Sequence, residues 1–202
     1  MKQDEALEGV SRETIEQLHK LELLLLKWNP TINLVAKSTL ANLWSRHFVD
    51  SAQLYELGKH GSWIDLGSGG GFPGLVVAVL AEAGEQSFKL TLVESDQRKA
   101  TFLRTALREL GLTAQVIPAR IEQIPPQMAD TISARALAPL TKLLEYSARH
   151  LKPDGHCLFP KGANWREEVE AARHKWHFDL TTYPSKTDPD GAILVVKAIQ
   201  HV

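Results

Sequence analysis

Residues 65 to 74 read Asp65-Leu66-Gly67-Ser68-Gly69-Gly70-Gly71-Phe72-Pro73-Gly74, five glycines in ten positions. Glycine lets a backbone turn sharply and approach a ligand that a Cβ would repel. Gly69, Gly71 and Gly74 fit the G-x-G-x-x-G spacing, and Glu94 follows twenty residues after the last of them. An acid at that distance can accept hydrogen bonds from both hydroxyls of a ribose. A short apolar strand, Trp63-Ile64-Asp65-Leu66, runs into the glycines, and an apolar helix from Gly74 to about Ala83 leaves them. In that strand–turn–helix setting, with the spaced acid, a nucleoside-bearing ligand explains the pattern better than a bare tight turn.

Charge narrows the ligand. A dinucleotide would set its pyrophosphate on the helix N-terminus, but Asp65 opens this turn, and a carboxylate beside a pyrophosphate repels it. The same carboxylate suits a cofactor that carries an ammonium group. S-adenosyl-L-methionine has that ammonium, a ribose for Glu94 and an adenine. Leu151-Lys152-Pro153-Asp154-Gly155 also resembles the helix-to-strand turn common in class I methyltransferases. Other chemically capable residues read as structural. His174 and His177 stand three apart on an expected helix with no further ligand in view, short of a zinc set. Trp28, Trp44 and Trp63 read as core. The single cysteine, Cys157, has no disulfide partner and reads as a small core residue in an apolar strand.

The elements that must position these residues change character along the chain. Ser11 is a plausible cap for a helix whose apolar positions Ile15, Leu18, Leu21, Leu25 and Trp28 recur at three- and four-residue steps. Asn29-Pro30 is expected to stop it. A second helix is expected from about Thr39 to Leu57. From Ser62 onward strands alternate with helices. After Trp63–Leu66 the strands are Lys89–Val93, Ala114–Ile117, Thr131–Ala134 and His156–Phe159, and the later helices Asp96–Leu110, Leu140–Leu151 and Asn164 to about Lys175. Such alternation predicts a parallel sheet covered on both faces. Phe178–Tyr183 and Ala192–Ile199, joined by Asp188-Pro189-Asp190-Gly191 without a helix between them, predict an antiparallel hairpin. The division expected is a helical cap over residues 1–60 and a ligand-binding domain over 61–202.

Composition sets the bounds. The chain has 202 residues, 44% hydrophobic and 23% charged, with a net charge of −1 from 23 basic and 24 acidic side chains. That is an ordinary globular profile rather than a disordered one. The charge balance speaks against a coat of positive charge for nonspecific nucleic-acid binding. The longest apolar run, Leu75 to Ala81, is far short of the ~20 residues a bilayer span needs. Met1 to Glu8 carries acids and no apolar signal region. With one cysteine, these features predict a cytoplasmic protein without membrane attachment.

Several further motifs bring a resemblance. They are Lys27-Trp28-Asn29 with Ile32-Asn33-Leu34, Arg46-His47-Phe48-Val49-Asp50-Ser51, Asp65 to Gly74, Ser133 with Arg135 and Ala136, and Phe159-Pro160-Lys161-Gly162. From about Leu24 to its C-terminus the chain resembles the bacterial small-subunit (16S) rRNA guanine-N7 methyltransferases, the glucose-inhibited division protein B family. The resemblance implies an α/β class I methyltransferase fold: a mixed seven-stranded Rossmann-like sheet with a C-terminal antiparallel hairpin and an N-terminal helical cap. It implies S-adenosyl-L-methionine as donor and N7 of a guanine in small-subunit rRNA, free or in the assembling subunit, as acceptor. Carried over by position, it implies cofactor contacts at Gly67, Phe72, Ile121, Glu122 and Arg135, with Glu94 on the ribose. The reading of the glycine turn itself adds Asp65, Gly69, Gly71 and Gly74 as cofactor-binding candidates. Ala119 and Ile121 stand where the family more often has glycine and alanine, and Val35 where it has threonine.

Guanine N7 carries a free lone pair, so its methylation requires no general base; it requires an in-line approach. No Ser-His-Asp or Cys-His set stands at convincing spacing, which agrees with that demand. RNA phosphates would need cations near the cofactor, and Arg98, Lys99, Arg135 and Lys161 all follow expected strands on the carboxyl edge of the sheet. Arg46 and His47 could add to that surface. A monomer is expected. Two rival readings are a nicotinamide-dependent oxidoreductase and a noncatalytic RNA-binding protein. Asp65 and the terminal hairpin speak against the first; the intact Gly67–Gly74 turn and Glu94 speak against the second.

Overall fold

The first helix, α1 (Arg12–Ile32), starts where Ser11 supplies a cap: its hydroxyl accepts a hydrogen bond from the Thr14 N–H at 3.2 Å. Leu18, Leu21 and Leu25 fall on one face and are fully buried. These are coordinates of a computed structural model that describes residues 7, 9–58, 61–84 and 88–202. The reading of Met1 to Glu8 therefore lies, apart from Leu7, outside the described residues. Helix α1 does not stop at Asn29. It runs through Pro30 to Ile32 and ends on Asn33, a left-handed residue (φ 49°) whose N–H returns to the Asn29 carbonyl at 3.0 Å. In the last turn a proline forfeits one backbone bond and its fixed φ still suits a helix. The Asn29 side chain then fixes the exit by accepting from the Val35 N–H at 2.9 Å.

The helix expected over Thr39–Leu57 is broken into short pieces. A 3₁₀ turn at Lys37–Asn42 leads to a π-helical turn at Trp44–Val49, then α2 (Asp50–Ala52) and a 3₁₀ turn at Tyr55–Leu57. The wider π turn buries three consecutive residues, His47, Phe48 and Val49, which a regular amphipathic helix would not. Packing overrides the local pattern here.

The remainder alternates as the sequence predicts: β1 (Gly61–Leu66), α3 (Gly74–Ala83), β2 (Phe88–Val93), α4 (Gln97–Leu110), β3 (Gln115–Ile117), β4 (Ala129–Ser133), α5 (Leu140–His150), β5 (Leu151–Lys161), α6 (Trp165–Arg173), β6 (Trp176–Pro184) and β7 (Ala192–His201). The seven strands form one sheet in the order β3-β2-β1-β4-β5-β7-β6. The first five are parallel, and β7 inserts antiparallel between β5 and β6. The turn expected at Leu151–Gly155 is instead the first half of β5, paired from Ala129↔Leu151 with a register shift before Thr131↔His156. His177 lies on β6 rather than on a helix with His174.

One face of the sheet is covered by α3 and α4, with α1 packed over those two helices, through Val76, Phe102, Leu21 and Leu25, and the other face by α5 and α6 through Leu143, Leu144 and Val169. Cys157 sits in this second layer, where burial pushes its thiol up to about 12. The chain order reverses between β1 and β4, which opens a crevice at the carboxyl ends of the strands. No described helix is long and apolar enough to cross a membrane.

Candidate cofactor and acceptor site

The glycine turn is fastened from both sides. Ser68 N–H donates to the Val93 carbonyl at the end of β2 (3.0 Å), and Gly71 N–H closes back on the Ser68 carbonyl (2.7 Å). Beneath it lies Asp65, which the sequence reading placed facing an ammonium group. The structure corrects this. Asp65 is fully buried and does not line the neighbouring cleft. One carboxylate oxygen accepts from the Ser133 hydroxyl (2.7 Å) and the other from the Gly74 N–H (3.3 Å), so Asp65 ties β1 to β4 and to the start of α3. Burial pushes its carboxyl up to about 6. The stability gained from its neutral form is present below its unfolded value and is lost as pH rises through 6.

Above the turn is a cleft of about 600 Å³. Its walls bring together Gly67, Gly69, Phe72, Glu94, Ile121, Glu122 and Arg135, with Lys99, Arg46 and His47 at the same walls. Gly71 and Gly74 shape the turn from behind and do not line the cleft. Arg98 stands off it, with a side chain 71% exposed and 3.6 Å from Asp96. The Glu94 carboxylate accepts from Gly69 N–H (2.8 Å) and Asp96 N–H (2.7 Å). A carboxylate offers about four acceptor sites, so two remain for a ligand's hydroxyls.

A second cavity of about 490 Å³ adjoins the cleft and shares Arg46, Arg135, Ala136 and Leu137 with it. Asp50, Lys161, Glu168, Thr187 and Asp188 bound its other sides. Lys161, expected at RNA phosphates, turns inward instead: its side chain is 10% exposed and its ammonium pairs with Glu168 at 2.7 Å. Thr187, Asp188 and Glu168 carried no signal of a site in the sequence. The β6–β7 turn reaches this edge because β7 inserts next to β5, a pairing no local pattern announces.

Arg135 stands in the wall between the two spaces. Its guanidinium donates to the Arg46 carbonyl (2.8 Å), the Asp50 carboxylate (3.2 Å) and His47 Nδ1 (2.6 Å), and lies 5.3 Å above the Phe72 ring. Since His47 Nδ1 accepts from an arginine, its proton sits on Nε2, which donates to Thr39 Oγ1 at 2.8 Å. Burial, then the charges of Arg135 and Arg46, hold His47 down at about 3. The imidazole is neutral throughout the physiological range, and the stability this gives is lost only as pH falls below 6.5 towards 3.

Comparison with known proteins identifies the family. The family model described as rRNA small subunit methyltransferase G (GidB) matches residues 14–193. The chain belongs to that family. A protein of Cereibacter sphaeroides named ribosomal RNA small subunit methyltransferase G is 54% identical over 96% of this chain and 94% of its own length. One of the same name from Paracoccus denitrificans is 51% identical over 96% of this chain and 99% of its own. Among solved structures, a putative class I S-adenosylmethionine-dependent methyltransferase from Listeria monocytogenes superposes with a TM-score of 0.63 at 14% identity, over 95% of this chain and 71% of that one. A TehB-like S-adenosylmethionine-dependent methyltransferase from Corynebacterium glutamicum gives 0.59 at 17%, over 90% and 99%. These two share the fold, an α/β class I methyltransferase architecture. The GidB resemblance read from the motifs and the family match point the same way.

Proposed function

We propose that this chain transfers a methyl group from S-adenosyl-L-methionine to N7 of a guanine in small-subunit rRNA, as a cytoplasmic enzyme. The observation that carries this reading is the pair of joined spaces at the sheet's carboxyl edge, with Arg135 in their common wall. One suits the donor and the other the acceptor base.

The residues fit the cofactor. Gly67 has a left-handed backbone, φ +67°, that favours glycine, and a Cβ there would stand 2.5 Å from Cδ1 of Leu137 on the cleft floor. Glu94 has free acceptors for the ribose, and Ile121 with Glu122 forms the wall for the adenine. When bound, the cofactor supplies an electrophilic methyl group. The chain's own task is then to hold the acceptor in line and to exclude other approaches. N7 gives no proton, so His47 need only accept from Arg135, and neutral it does so. The carboxylates of Asp50 and Asp188 in the acceptor cavity oppose the positive charge that N7 gains.

Two expected results test the reading. Glu94→Ala should weaken S-adenosyl-L-methionine binding by about 1–3 kcal/mol, the loss of charge-assisted hydrogen bonds. Calorimetry with the cofactor, its demethylated product and NAD checks this; an unchanged dissociation constant for the variant, or binding of NAD alone by the parent, overturns it. The single-turnover methylation rate from pH 6 to 9, with saturating rRNA and cofactor, should lack a steep limb. A tenfold rise per pH unit would require an essential base and overturn the reading.

A further inference from the structure

The segment that links β4 to α5 forms the wall shared by both spaces, and its backbone is unusual. Ala136 lies in the left-handed region, φ 53°, which a residue with a Cβ rarely adopts. Such a conformation persists where the surroundings hold it, and it clusters at working sites. The holding groups come from two later elements. Lys161 at the end of β5 donates from Nζ to the Ala138 carbonyl at 2.9 Å and to Glu168 Oε2 at 2.7 Å. The same Oε2 accepts from the Leu140 N–H at 2.7 Å. Helix α5 begins after Pro139, which provides no side-chain cap, so Glu168 of α6 supplies the missing acceptor from outside the helix. Residues 138 and 140 are thus pinned by one ion pair. At the other end of the segment Arg135 is pinned by Asp50 and His47. Between them Leu137 packs where a Cβ on Gly67 would be, so the segment's position is felt on the floor of the donor cleft.

We propose that Lys161 and Glu168 are a positioning pair that holds residues 135–139, with left-handed Ala136, in the shape that seats the methyl acceptor against the donor. The inference rests on the methyltransferase reading above. It gives Lys161 a role through the protein's own backbone, in place of a contact to phosphate.

The test uses the full chain and four variants: Lys161→Met, Lys161→Arg, Glu168→Gln and the double variant Lys161→Met with Glu168→Gln. Lys161→Met and Glu168→Gln should each slow single-turnover methylation of small-subunit rRNA by about 10- to 100-fold, the size of effect that follows from misplacing reacting groups. RNA affinity and its salt slope should stay within twofold of the parent, and the rates are compared at saturating cofactor, so that a shift of Leu137 on the cleft floor does not enter them. Lys161→Arg, which keeps the charge and the reach, should recover most of the rate. The double variant should be little slower than either single one, because the two residues act as a unit. A salt slope shallower by about one ion in Lys161→Met alone would mark a phosphate contact and overturn the pair, as would unchanged rates in both single variants. Should Lys161→Met fail to fold, Glu168→Gln decides alone, since its amide oxygen still accepts from Leu140. A readout independent of activity separates this inference from the one beneath it: the Ala136 Cα chemical shift reports left-handed backbone. If the parent methylates no rRNA, the functional reading fails, whereas an Ala136 shift unmoved in both single variants overturns the positioning pair whatever the activity.

Discussion

Arg135→Ala is expected to reduce methyl transfer by about 100-fold or more while lowering stability, because one guanidinium is used by four neighbours at once. It joins the Arg46 carbonyl, Asp50, His47 and the Phe72 ring, and its side chain is 15% exposed against 17% for Asp50. Removing it leaves a largely buried carboxylate without its cation. The cost should fall near the low end of the ~3–5 kcal/mol seen when one partner of a buried pair is deleted, since Thr187 still donates to Asp50 at 2.8 Å. Arg135→Lys should rescue little: one ammonium cannot reach three acceptors in the directions a planar fork does. Denaturant unfolding and single-turnover rates on the same preparations check both halves. Activity within about threefold of the parent, on a variant folded as the parent is, would remove Arg135 from the site. The companion variant Asp50→Asn, made in the Arg135→Ala background, should restore part of the stability and none of the activity.

What the sequence makes legible follows the range of the interactions. The glycine turn, Glu94 and the strand–helix alternation are local or periodic, and each lies where the residues alone predict. Asp65 is a harder case. Its residue type suggested a ligand's ammonium, but its partner Ser133 is on β4, and the β1–β4 pairing that brings them within 2.7 Å is a feature of the sheet. Lys161 looks like an outward cation in the sequence for the same reason: Glu168, seven residues on, meets it only once α6 has folded back over β5. The broken helix between Lys37 and Leu57 shows packing overruling propensity, because His47 and Phe48 both have to face Phe72. The cavity beside the cleft is not legible in the sequence, because its rim is a turn placed there by the insertion of β7. Position-specific resemblance reached Arg135 without any of this, but could not say that Arg135 also touches the cap.

The glycine turn offers the sharpest separation of fold from function, since two of its glycines differ in what an added methyl group would meet. At Gly71, φ is +88° and a Cβ would lie 2.3 Å from Cδ1 and 2.7 Å from Cγ of Leu75, a fully buried side chain in the first turn of α3. The left-handed backbone costs an alanine about 1–2 kcal/mol, and crowding a packed core adds about 1–3 kcal/mol. Gly71→Ala should therefore lower the unfolding midpoint by roughly 5–15 °C for a chain of this size. Gly69 also has a left-handed backbone, φ +55°, but the nearest atom to its Cβ is the Gly67 carbonyl oxygen at 3.7 Å, and the residue faces the cleft. Gly69→Ala should lose only the backbone contribution, about 1–2 kcal/mol, and keep the N–H that Glu94 accepts. Its methyl group would project into space that the cofactor needs. Cofactor affinity should then fall by at least about tenfold, the equivalent of 1.4 kcal/mol. Calorimetry on a folded Gly69→Ala protein decides it: parent-like affinity would mean that the cofactor does not pass over Gly69, and the donor cleft would have to be redrawn along Phe72 and Arg135.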